Sequence, residues 1–113
     1  RTRSGMTRLL KYYLDCIIQP GLTLTVDENG AYVGLVNDKK LVFITARGGD
    51  YSPGSPLEAM NFQEGHMNLC FGAMGVHDIE WVVAQPCDLG PADVAVKAAS
   101  EKAVSIASSD WAA

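Results

Sequence analysis

Leu41-Val42-Phe43-Ile44-Thr45-Ala46-Arg47-Gly48-Gly49-Asp50-Tyr51 is the stretch on which the reading of the fold turns. It is an unbroken apolar run that stops at a small residue, a cation and two glycines. Such a run, bounded by turn residues, predicts a strand buried on both faces, as in a parallel sheet. In open α/β sheets, ligands bind just beyond the carboxyl ends of the strands. The Arg47-Gly48-Gly49 tip therefore falls where a site is expected.

Downstream, Asp50 to Pro56 is a loop by composition, with Pro53, Gly54 and Pro56 excluding regular structure. A helix is expected over Leu57 to Met74, with Phe62, His66, Leu69 and Ala73 on one face. Gly65 and Gly72 each weaken that helix by ~1 kcal/mol relative to alanine, and Gly75 suits the position just past its end. Val76 to Ala84, rich in Ile79, Trp81, Val82 and Val83, predicts a second strand ended by Pro86. Strand, helix and strand make a βαβ unit, whose crossover is right-handed in nearly all proteins. Gly90-Pro91 opens a last helix with Pro91 at its first position, and Ala92, Val96, Ala99, Ala103 and Ile106 form its apolar stripe.

Upstream, residues 6 to 18 carry Met6, Leu10, Tyr13 and Ile17 at helical spacing, widened by Leu14 and Ile18. Pro20-Gly21 stops this helix. Leu22, Leu24 and Val26 alternate with threonines, and Val33 and Leu35 resume the alternation after Asn29-Gly30. That pattern predicts a β-hairpin, with Asp27-Glu28-Asn29-Gly30 as its turn and Asn-Gly as the signal for it.

The 113 residues suit one domain. A net charge of -4 gives no basic face for nucleic acid. The one cationic cluster, Arg1, Arg3, Arg8 and Lys11, reads as a solvated helix face. No apolar segment approaches the ~20 residues that span a bilayer, and Lys11, Tyr12, Tyr13 and Asp15 interrupt the first apolar run, against a signal peptide. Three cysteines, Cys16, Cys70 and Cys87, without a CxxC pair, point to reduced thiols and a cytoplasmic home.

Taken alone, Arg-Gly-Gly reads first as a tight strand-to-loop turn without a ligand. His66 and Cys70 stand four apart, but zinc wants three or four ligands in a recognisable spacing and none is present, so no metal site is assigned. No motif places a serine, histidine and acid as a hydrolase would. Met60, Met67 and Met74 read as core fillers, and Trp111 as an anchor for the last helix or a contact for a partner chain.

Several stretches then resemble the NAD(P)H-dependent, FMN-binding quinone and azo reductases of the flavodoxin-like fold. They are Leu10 to Asp15, Gln19 to Thr23, Thr45 to Ser52, Asn61 to Glu64 and Gly72 to Val76, in matching order and spacing. The resemblance runs from Gly5 to near the end and covers the carboxyl half of such an enzyme. It implies an α/β, flavodoxin-like, three-layer fragment: two parallel strands, a β-hairpin and three helices, without the family's first three strands and phosphate loop. It implies FMN as cofactor, NAD(P)H as hydride donor, a quinone or azo compound as acceptor, and a homodimer or higher homo-oligomer. Ala46, Arg47, Gly48 and Gly49 would lie along the pyrimidine edge of the flavin, where the family often has Ser in place of Ala46. Tyr51 would stack near the ring or donate to a quinone oxygen, and His66 would approach the substrate. The family's Asn-Phe loop falls by register at Arg1 to Ser4, where Arg3 and Ser4 replace Asn and Phe, and Thr7 replaces a proline. Against the enzyme reading stands a non-catalytic, oligomeric α/β interaction module derived from such an enzyme, or a chain complemented by a separate one bearing the first half.

Overall fold

The computed structural model describes residues 6–109 and 111. The expected Asn-Phe loop position, Arg1 to Ser4, lies outside them. The element order is α1 (Arg8–Ile17), β1 (Leu24–Val26), β2 (Tyr32–Gly34), β3 (Lys40–Ala46), a 3-10 turn (Glu58–Met60), α2 (Phe62–Ala73), β4 (Asp78–Ala84) and α3 (Ala92–Ser108). β3 pairs with β4 in a parallel two-stranded sheet, and β1 with β2 in an antiparallel hairpin. The expected mixed α/β architecture is present. Among the described residues one compact unit comprises 42–61, 80–109 and 111, and the other 6–41 and 62–79.

In the second unit, Thr7 caps α1, its Oγ1 accepting from the Leu10 N–H at 3.4 Å. Leu10, Leu14 and Ile17 form the inward stripe, with Leu14 wholly buried, while Tyr13, expected on that stripe, is 56% exposed. Lys11 pairs with Asp15 one turn on, a surface contact of small energetic value. The last carbonyls of α1 are satisfied by side chains: Gln19 Nε2 donates to Cys16 O at 2.7 Å and Thr23 Oγ1 to Ile17 O at 2.7 Å.

The hairpin forms in the register Leu24 opposite Gly34 and Val26 opposite Tyr32. Its turn is the expected Asp27-Glu28-Asn29-Gly30, in a longer form than a two-residue Asn-Gly loop. The Asp27 N–H donates to Ala31 O at 2.9 Å and the Gly30 N–H to Asp27 O at 3.0 Å. Gly30 has a positive φ and Asn29 does not, so the loop is one residue longer. Asp27 Oδ1 decides this by accepting from both the Asn29 and Ala31 amides at 2.8 and 2.9 Å.

Where β2 ends, its backbone passes against the Met74-Gly75 turn. The Val36 N–H donates to Met74 O at 2.8 Å, and a methyl group on Gly34 would collide with the Gly75 backbone. Gly75 holds φ at +101°. Backbone cannot step aside as a side-chain tip can, so Gly34→Ala is expected to lower the unfolding free energy by about 2 kcal/mol, read as an earlier midpoint in urea.

The helix expected over Leu57 to Met74 is interrupted. Glu58–Met60 is a 3-10 turn, and Asn61 adopts φ -80°, ψ 65° before α2 begins. The reason is tertiary: the Asn61 side chain is engaged by Arg47 and by the Tyr51 carbonyl. The expected apolar face of α2 is also the wrong one. Phe62 and Leu69 are 64% and 74% exposed and His66 is exposed, whereas Met67 and Met74 are buried. Met67 and Met74 thus fill the core as expected, and Met60, at 45% exposed, does not. Cys70 is half-buried, and burial pushes its thiol pKa up, with Lys11 lowering it and Asp15 raising it less strongly.

In the first unit, β3 is not buried on both faces. Ile44 is 76% exposed, and the face it shares with Ala46 opens onto a groove of about 380 Å³ walled on the other side by Val96, Ala99 and Ala103 of α3. Val82 and Ala84 of β4 are buried beside it. Pro91 sits at the N-cap of α3 rather than its first turn, Ala95 is the buried residue of that helix, and Trp111 is half-buried.

Candidate functional site

β3 ends at Ala46, and the chain then runs beside the segment that follows β4. Four backbone hydrogen bonds join the two tips. The Arg47 N–H donates to Ala84 O at 2.9 Å, the Cys87 N–H to Arg47 O at 2.8 Å, and the Asp88 and Leu89 amides to Gly48 O at 3.0 and 3.1 Å. Parallel pairing thus continues past the strands and fixes the loop at the carboxyl edge of the sheet.

Within that loop, among the described residues, the N–H groups of Gly48, Gly49 and Asp50 donate to no protein acceptor. Gly49 is buried as a residue, a setting in which backbone donors are nearly always paired. Three consecutive free donors at a strand tip suit a ligand edge rich in hydrogen-bond acceptors. The glycines also answer to their own chain: a methyl on Gly48 would meet the Asp88 carboxylate, and one on Gly49 would lie 2.7 Å from Leu57 Cδ1 and 3.3 Å from the Tyr51 ring.

Side chains hold the loop from behind. The Arg47 guanidinium donates through Nη1 to Asn61 Oδ1 at 3.2 Å and lies 5.9 Å from the ring centroids of both Tyr51 and Trp81. Trp81 stacks on Phe43 at 4.4 Å and 27°. Asn61 Nδ2 donates to Tyr51 O at 3.4 Å, and the Tyr51 N–H donates to Gln85 Oε1 at 3.2 Å. Beyond Gly49, the Asp50 carboxylate accepts from the Ser52 hydroxyl at 2.6 Å and the Ser52 N–H at 2.9 Å. Those two donors hold its carboxyl below the usual carboxylate pKa, and burial opposes them weakly. The turn is therefore held at neutral pH and loses these bonds as pH falls through that lowered value. Ser55 Oγ, donating to Asp50 O at 2.8 Å, and Glu58, accepting from the Gly54 N–H at 2.8 Å, complete the turn.

Of the expected site residues, the structure gathers Ala46, Arg47, Gly48, Gly49 and Tyr51 at one strand tip. Ala46 is exposed, Arg47 half-buried, and Tyr51 only 3% exposed. His66 belongs to the other unit and stands exposed on α2. Asn61, Gln85, Trp81 and Asp88 complete the constellation and carry no expected role from the sequence. One signal existed for Gln85 and Asp88: they follow the second parallel strand, and the carboxyl-edge rule applies to both strands. Among the described residues no cluster of His, Cys, Asp or Glu could hold a metal ion, the three cysteines are free, and no helix is long and apolar enough to cross a membrane.

Residues 4–107 match the family model for a flavodoxin-like fold. The chain is 43% identical over 81 residues to an FMN-dependent NADH:quinone oxidoreductase of Nostoc sp., covering 71% of this chain and 39% of that protein. It is 39% identical over 105 residues to an FMN-dependent NADH:quinone oxidoreductase of Bradyrhizobium sp., covering 91% and 52%. In structure it resembles an azoreductase from Bacillus anthracis, with a TM-score of 0.84 and 29% identity over 93% of this chain and 50% of that one. The chain spans about half the length of the curated relatives it matches.

Proposed function

This chain belongs to the flavodoxin-like fold family, and from that membership we propose that it is the carboxyl-terminal part of an FMN-dependent NAD(P)H oxidoreductase acting on a quinone or azo acceptor. The observation that carries the reading is the row of backbone donors at Gly48, Gly49 and Asp50 that have no acceptor among the described residues, at the carboxyl edge of a parallel sheet. FMN, when bound, takes a hydride from NAD(P)H and returns two electrons to the acceptor, which gains two protons. This chain's part is orientation and charge. The backbone of Ala46 to Gly49 would lie along the flavin edge, and the N–H groups of Gly48, Gly49 and Asp50 would stabilise the negative charge that reduction places there. Arg47 and Tyr51 set the loop's conformation from beneath, and His66 is assigned to the acceptor side. Homo-oligomerisation and cytoplasmic residence belong to the same proposal, the latter supported by the free thiols of Cys16, Cys70 and Cys87.

A second reading, a non-catalytic interaction module, is favoured by exposed apolar side chains: Leu9 at 81%, Tyr12 at 70% and Ile44 at 76%. Titration of the purified chain with FMN, followed by an assay of NADH-dependent quinone reduction, separates the two. Flavin fluorescence quenching and reductase activity are expected. A chain that associates with itself in light scattering yet leaves FMN fluorescence unchanged would be the interaction module instead.

A further inference from the structure

The Gly48 tip carries a feature that a flavin loop does not need. The Asp88 carboxylate occupies the side of Gly48 where a Cβ would stand, close enough that no side chain fits between them. The placement is imposed by backbone, because the Asp88 and Leu89 amides both donate to Gly48 O. The carboxylate lies beside the Gly48 Cα and does not accept the Gly48 N–H, which has no acceptor among the described residues. One negative charge is thereby fixed next to the donors that would receive the pyrimidine edge.

We infer that Asp88 is a positioning residue that sets the electron affinity of a flavin seated at this loop, an inference that rests on the flavin reading above. The chemistry is electrostatic. Oxidised FMN is neutral at its ring, whereas two-electron reduction with uptake of one proton leaves a negative charge shared over N1 and O2. Free amides favour that charge, and a carboxylate held beside them disfavours it. Asp88 thus weakens reduced flavin more than oxidised flavin and makes the bound cofactor a stronger reductant toward its acceptor. For an exposed carboxylate the expected difference is about tenfold in the ratio of the two affinities, which for a two-electron couple is about 30 mV.

Asp88→Asn keeps the shape and removes the charge. Glu101→Gln, on the exposed middle of α3, makes the same change in net charge elsewhere. Without flavin, amide correlation spectra of Asp88→Asn should show shifts concentrated at Gly48 and Gly49, and those of Glu101→Gln should not. With FMN, dye-coupled potentiometry should place the midpoint of Asp88→Asn about 30 mV above the parent, with Glu101→Gln at the parent value. Equal midpoints in flavin-bound parent and Asp88→Asn would overturn the inference and leave the flavin reading standing. Gly48 and Gly49 amides unmoved by Asp88→Asn would overturn the placement of the charge. Failure of both proteins to bind FMN would overturn the flavin reading and this inference with it, whatever the amides show.

Discussion

Replacing Arg47 by alanine is expected to lower the unfolding free energy by about 3 kcal/mol and to weaken FMN binding by at least about tenfold, because one side chain anchors the loop at three points. Its guanidinium bonds Asn61 Oδ1 and stands over two aromatic rings, Tyr51 and Trp81. A hydrogen bond to a charged group contributes about 1.5–3 kcal/mol and each partly desolvated cation–π contact about 0.5–2, in sums that do not add fully. The alanine variant keeps the backbone bonds to Ala84 and Cys87, so the strand tip survives while its backing is lost. Asn61 then loses the partner that draws it out of the helix, and the turn from Asp50 to Glu58 is no longer held to the strand from that side. Arg47→Lys should recover less than half of either loss, since an ammonium has no planar fork to bond Asn61 while lying against two rings. Urea denaturation followed by far-UV circular dichroism reads the first effect, and flavin fluorescence titration the second. An Arg47→Ala protein with the parent's midpoint and the parent's FMN affinity would show the loop to be held by its backbone alone.

Leu14→Ala is expected to cost about 3–4 kcal/mol, the middle of the range for large-to-small core changes. Leu14 is wholly buried, so the substitution loses both its transfer free energy and the packing around the space it leaves. Leu9, on the same helix, is 81% exposed, and Leu9→Ala should change stability by no more than about 0.5 kcal/mol. The pair makes the measurement self-referencing: helix propensity changes alike at both positions, and only burial differs. Against a total stability of about 5–15 kcal/mol, the Leu14 change removes a large share, and the urea midpoint should fall accordingly. Equal midpoints for the two variants would mean that α1 does not pack through the Leu10, Leu14 and Ile17 stripe.

Much of this molecule is legible in its residue order because the information is local. The helical spacing of Leu10, Leu14 and Ile17, the alternation around Leu24 and Val33, and the apolar run from Leu41 each specify an element without reference to the rest. The family motifs at Thr45 to Ser52 and Gly72 to Val76 are likewise contiguous and survive as a match to a flavodoxin-like fold. The errors fall where distant residues intervene. Asn61 is compatible with a helix until Arg47 and Tyr51 claim its side chain. The face of α2 is ambiguous by pattern, because Phe62, Leu69, Met67 and Met74 are all apolar, and packing selects the methionines.

The residue order by itself determined the elements and the parallel βαβ unit, and it marked the strand tip at Ala46 to Gly49 as the expected place for a ligand. Each of these follows from side-chain period, turn chemistry and the directionality of parallel strands. Only the tertiary structure decided what surrounds that tip. It left the Gly48, Gly49 and Asp50 amides without acceptors among the described residues, set Arg47 between Tyr51 and Trp81, and brought Asp88 against Gly48. It also decided that Ile44, at the centre of the most apolar run, is 76% exposed. A strand's sequence records how apolar its faces are, but burial is a property of what packs against them, and contacts between residues forty apart in the chain have no local signature.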